Sequence, residues 1–124
     1  MRSDVRTCLE DMLSSAMAIQ DYVAGMNVDA FGRDAKTQDA VLRRLEVLGE
    51  AAGRVLRLDA ERTIRASFPD LPLREAYDMR NALIHGYDGI DVFVVWKTIT
   101  RDIPGLRTAL EAALGQGNHD QEAP

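Results

Sequence analysis

Cysteine is almost missing from this chain, which has one in 124 residues. No internal disulfide can form, and a cysteine-based metal site is not expected. Cys8 lies on an apolar stripe, so it reads as core packing in a protein of the reducing cytoplasm. Histidine is nearly as scarce. One of the two, His119, lies in a polar C-terminal segment, which leaves His85 without a histidine neighbour of metal-ligand spacing. No apolar run approaches the ~20 residues that span a bilayer, and the start, "MRSDVRTCLEDM", lacks the apolar core of a signal peptide. There is no internal repeat, no phosphate-binding glycine loop and no serine nucleophile elbow. A net charge of −5 argues against generic, charge-driven binding of nucleic acid, though not against RNA at one local site.

What is present is helical periodicity. Val5, Cys8, Leu9, Met12, Ala16, Ile19 and Val23 recur at helix spacing, with Ser3 or Asp4 as N-cap and an end near Gly25. After the connection "MNVDAFGRDAK", a second helix is predicted from about Lys36 to Arg57, with Val41, Leu45, Leu48, Ala52 and Val55 as its stripe. Gly49 and Gly53 lie four residues apart on the edge of that stripe. Glycine inside a helix costs roughly 1 kcal/mol relative to alanine, so the pair predicts the close approach of another helix or of a ligand. "DAERTIRASFPDLP" reads as a short helix and a turn punctuated by Pro69 and Pro72. A further helix spans about Leu73 to His85 and stops at Gly86. Asp91 caps a last long helix that should kink or restart at Pro104, with Asp102 capping the second half. No segment alternates for long enough to be a strand. The expectation is one all-α domain, an antiparallel bundle of four to five helices over residues 1–114, with a disordered tail at 115–124.

The stretch "RNALIHGYDGID", residues 80–91, holds the candidate chemistry. On a helical wheel Leu73, Ala76, Tyr77, Met79, Leu83 and Ile84 make an apolar side, while Arg74, Asp78, Asn81 and His85 make a polar one. Arg80 falls inside the apolar arc, where an unpaired cation is costly. Its partner is a carboxylate such as Glu46 or Glu50, a group on a facing subunit, or an anionic ligand; a guanidinium reaching a salt bridge along its aliphatic stem is the plain alternative. Five residues separate Arg80 from His85, roughly 140° around a regular helix. The two side chains therefore converge only if the helix unwinds or if two copies pool their groups. Asn81 shares a face with His85 and can steer the imidazole. The chemistry left open is metal-free, with histidine as acid or base and arginine as phosphate clamp. A lone histidine at a helix end is also, commonly, a cap or a surface residue.

Arg80, His85 and Tyr87 spell R-x4-H-x-Y, which resembles the HEPN-domain ribonuclease toxins of the HepT type, partners of the minimal nucleotidyltransferase antitoxin MntA. "KTQDAVLRRLEVLGEAA" (36–52), "FPDLPLREAYDMRNALIHGYDGID" (68–91) and "VWKTITRDIPGLR" (95–107) resemble successive blocks of the same family. The resemblance implies a HEPN-like bundle that dimerises through its motif-bearing helices, and a cytoplasmic, metal-independent endoribonuclease needing no cofactor. It implies that Arg80 holds the scissile phosphate, that His85 is the general acid or base and that Asn81 supports them. Tyr87 corresponds to the tyrosine that the antitoxin adenylylates, an addition of bulk and charge that would block RNA. The substrate would be tRNA or mRNA, with Arg43, Arg44, Arg74 and Arg101 as candidate RNA contacts. Two other readings stand beside this one. One is a non-catalytic helical dimerisation or nucleotide-binding module that docks a nucleotidyltransferase. The other is a regulatory domain in which Arg80 holds a phosphate and nothing is cleaved.

Overall fold

The computed structural model describes residues 1–84 and 89–122. Among them are seven helices and no strand: α1 (Ser3–Tyr22), α2 (Val28–Gly32), α3 (Ala35–Leu58), α4 (Thr63–Ser67), α5 (Leu73–Ile84), α6 (Val92–Arg101) and α7 (Ile103–Glu122). Five of these are the long helices expected from periodicity, and α2 and α4 are short helices of five residues in the connections. None of the described helices is long and apolar enough to cross a membrane.

Local chemistry accounts for most of the boundaries. Asn27 starts α2 by accepting a hydrogen bond from Ala30 N at 2.9 Å, and Asp34 starts α3 by accepting from Thr37 N at 3.0 Å. Asp91 starts α6 as expected, accepting from Phe93 N at 2.9 Å. At the N-terminus the cap falls one residue earlier than expected, on Arg2, whose side chain makes no capping bond. Asp4 instead accepts from Val5 N at 2.8 Å inside the first turn, where the helix dipole favours a carboxylate. The helix α1 ends at Tyr22 rather than near Gly25, because the chain turns through Gly25 at φ +77°. The restart foreseen at Pro104 is present: α6 ends at Arg101 and α7 begins at Ile103, so Pro104 occupies the first turn, where its missing N–H costs nothing. Asp102 supplies its backbone carbonyl, which accepts from Leu106 N at 3.1 Å. The helix α7 runs from Ile103 to Glu122.

The helix α3 is the centre of the bundle, packed by α1 on one side and α5 on another, with α7 on α1 and α6 on α7. The α1–α3, α1–α7 and α3–α5 pairs run antiparallel. Tyr22 at the end of α1 meets Arg44 in the first half of α3, at 3.3 Å. Arg107 near the start of α7 donates to Gln20 near the end of α1 at 2.7 Å, and Arg6 reaches the carbonyl of Leu114. Of the stripes expected in α1 and α3, all residues are buried except Val23, which is partly so. Phe31 of α2 is fully buried against Trp96 of α6, ring centres 5.3 Å apart.

Candidate active site

The glycine pair of α3 is where α5 docks. A β-carbon built on Gly49 would overlap Arg80 Cβ and lie 2.8 Å from Arg80 Cγ and 2.9 Å from the carbonyl oxygen of Ala76. One on Gly53 would overlap the ring of Tyr77. Both contacts are closer than any real β-carbon allows, so both positions need glycine for space rather than for backbone freedom. The sequence left open whether a helix or a ligand approached these glycines, and the answer is α5.

This docking explains the position of Arg80 in the apolar arc. Its stem lies in the α3–α5 seam, and its guanidinium emerges from there. Nε is buried with no hydrogen-bond partner, while one terminal nitrogen donates to Asn81 Oδ1 at 3.2 Å. Among the described residues no carboxylate pairs with it. Glu46, one of the acids considered, pairs with Arg43 at 3.7 Å, and Glu50 is exposed. A cation held this way, with an orphan buried N–H, keeps donor capacity that no described residue fills. Asn81 thus accepts a hydrogen bond from its neighbour Arg80. His85 and Tyr87, with Gly86, lie outside the described residues.

The four arginines considered for RNA contact are dispersed. Arg43 is exposed in its pair with Glu46, and Arg44 Nε donates to the Tyr22 hydroxyl. Arg74 pairs with Asp78 at 3.4 Å and sits 5.7 Å from the ring centre of Tyr77. Arg101 lines a largely apolar cavity of about 480 Å³ between α3, α5 and the α6–α7 junction, with Asp70, Glu75 and Asp102 on its walls.

Sequence reasoning passed over Asp59. It is the residue that ends α3, 5% exposed, and its carboxylate accepts from Ile64 N (2.9 Å), Arg65 N (3.1 Å) and Arg65 Nε (3.0 Å). Burial pushes its pKa up, but these hydrogen bonds and the Arg65 charge outweigh burial and hold it below the ordinary carboxylate range. The signal was weak, because an aspartate in "RLDAERT" looks like any turn residue. Burial first, and then the nearby charges of Asp11 and Asp4, raise the pKa of the Cys8 thiol, in keeping with a packing role.

Residues 12–113 match the family described as ribonuclease HepT-like. The chain is 36% identical over 111 residues to a probable ribonuclease HepT of Thermococcus cleftensis, covering 90% of this chain and 96% of that one. It is 34% identical over 110 residues to a putative RNase of Methanocaldococcus jannaschii, with 89% and 96% covered. A putative RNase of Caldanaerobacter subterraneus is 32% identical over 109 residues, with 88% and 93% covered. No solved structure matches.

Proposed function

The chain belongs to the HepT-like ribonuclease family, and from that premise we propose that it is a metal-independent endoribonuclease toxin whose dyad is Arg80 and His85. The observation that carries the reading is the state of Arg80, a guanidinium seated on Gly49 with a buried, unpartnered Nε and no described carboxylate beside it. A phosphodiester supplies the anion that its other terminal nitrogen, which is not buried, lacks. Arg80 binds the scissile phosphate and stabilises the charge that grows on it as a ribose 2′-hydroxyl attacks. His85 takes the proton from that hydroxyl or delivers one to the departing 5′-oxygen. Asn81 holds the guanidinium in its orientation.

The working unit in this proposal is a homodimer that places the two motifs at a common cleft. Support comes from the wheel argument, by which one regular helix cannot aim both groups at one phosphate, and from Ile90, Phe93 and Val94. These exposed apolar residues follow the motif at the start of α6, and Phe93 is 68% exposed. The substrate is tRNA or mRNA, and the antitoxin is an MntA-like nucleotidyltransferase that silences the enzyme in the cytoplasm by adding AMP to Tyr87. Arg80→Ala and His85→Ala, tested separately as folded proteins, should each lose RNA cleavage and growth arrest, with the parent's cleavage surviving EDTA. Retention of both activities by both variants would reject the dyad. AMP should add to the parent and not to Tyr87→Phe.

A further inference from the structure

An open cavity of about 790 Å³ lies between the C-terminal end of α3, the turn into α4 and the start of α5. Four arginines line it, Arg57, Arg62, Arg65 and Arg74, against one carboxylate, Glu75. In a chain of net charge −5 this is a local inversion of sign. The four arginines are not equivalent. Asp59 fixes Arg65 from behind, and Arg74 has an exposed pairing with Asp78. Arg57 and Arg62 are exposed and have no ion pair among the described residues. Arg62 is also the only non-glycine residue at positive φ among the described residues, at φ 62° and ψ 23°. A glycine or asparagine would take that conformation with less strain. The chain instead holds an arginine there, kept in place by the Asp59 hydrogen bonds that bracket the turn. Phe68 and Tyr77 add aromatic surface to the same walls.

The cavity also lies beside the seat of Arg80. Tyr77 and Gly53 are on its wall, and their counterparts are Arg80, about one turn further along α5, and Gly49, about one turn back along the antiparallel α3. One turn is about 5.4 Å. We propose that this cavity is an RNA-binding exosite, in which Arg57 and Arg62 hold backbone phosphates of the single strand that continues from the phosphate at Arg80. A base of that strand packs against Phe68 or Tyr77, as bases do on aromatic rings in single-strand sites. The choice of ligand rests on the ribonuclease reading, but the binding can be measured without cleavage.

The probe is a fluorescein-labelled 12-nucleotide single strand of 2′-O-methyl RNA, which has no 2′-hydroxyl to attack, titrated by anisotropy over a range of salt. Arg57→Gln with Arg62→Gln should weaken binding on the order of tenfold and lower the slope of log affinity against log salt by about 1.4, two phosphate contacts at ~0.7 each. Arg33→Gln with Lys36→Gln removes the same charge from an exposed face outside the cavity and should change neither. Arg62→Gly relieves the strained backbone, so it should melt no lower than the parent and still bind RNA more weakly. Equal losses in the cavity pair and the control pair would reduce the effect to net charge and overturn the proposal. So would a parent that does not bind the probe, or a cavity variant that binds like the parent. ATP affinity falling while RNA affinity holds would overturn it too, and assign a mononucleotide instead. A parent that binds through this cavity and cuts no RNA would leave the exosite standing and remove the ribonuclease reading alone.

Discussion

Arg80 rests on Gly49 with no room for a single methyl group between the two helices. The helix that carries the motif is thus positioned by a residue with no functional group of its own. Gly49→Ala gains roughly 1 kcal/mol of helix propensity. Against that stands overpacking, typically 1–3 kcal/mol, onto Arg80 Cβ and the Ala76 carbonyl, which are backbone or next to it and cannot swing away. The variant should be less stable in urea titrations, and its cleavage rate should fall more than its stability does. At Gly53 the obstacle is the ring of Tyr77. Adding Tyr77→Ala to Gly53→Ala should therefore recover stability, whereas no side-chain truncation on α5 should rescue Gly49→Ala.

Replacing Arg80 by methionine separates stability from function. Methionine keeps the methylene packing in the seam and discards the orphan Nε. A buried unsatisfied polar group costs about 1–3 kcal/mol, so Arg80→Met should melt at or above the parent's temperature while losing cleavage. A large drop in melting temperature would mean that Arg80 is a structural salt-bridge residue with a partner beyond the described residues.

A shared cleft predicts complementation. Arg80→Ala and His85→Ala, each inactive as homodimers, should regain cleavage when combined as a heterodimer if a site draws its arginine and histidine from different protomers. One site would then be whole and the other would lack both groups, giving about half the parent's activity. A heterodimer as inactive as its parents would place each dyad within one chain.

Asp59 makes stability depend on pH in a defined direction. Its pKa is held below the ordinary value in the folded protein, whereas the unfolded chain titrates near ~3.9. The unfolded state therefore binds the proton more readily. The stabilisation is fully present above the unfolded value and is lost as pH falls through the folded one. Thermal melts should show this loss on acidification, with Asp59→Asn showing less of it. At neutral pH Asp59→Ala should cost about 3 kcal/mol, because it strands Arg65 and two backbone donors.

The bundle was legible in the sequence because periodicity reports burial. The stripe from Val5 to Ile19 and that from Val41 to Val55 are the core, and Asp91 and Pro104 mark real boundaries. Gly49 and Gly53 announced a close approach, but one chain's pattern cannot say which surface approaches. Arg80 could be recognised as misplaced without its seat being known. The arginine cavity was hidden for a different reason. Arg57, Arg62, Arg65 and Arg74 lie on three helices and a turn, and only the reversal after α3 gathers them. Asp59 was missed because its partners lie five and six residues ahead, beyond helical spacing and in the reach of a turn.

The seat at Gly49 also bears on how such a gene would decay. Glycine and alanine codons differ by one base, so a single transversion would place the next smallest residue at position 49 and overpack the α3–α5 seam while leaving R-x4-H-x-Y intact. Under the proposed function, a copy with that change would keep the motif and lose the geometry that seats it. Position 49 is the first to inspect in any copy that retains the motif without the activity.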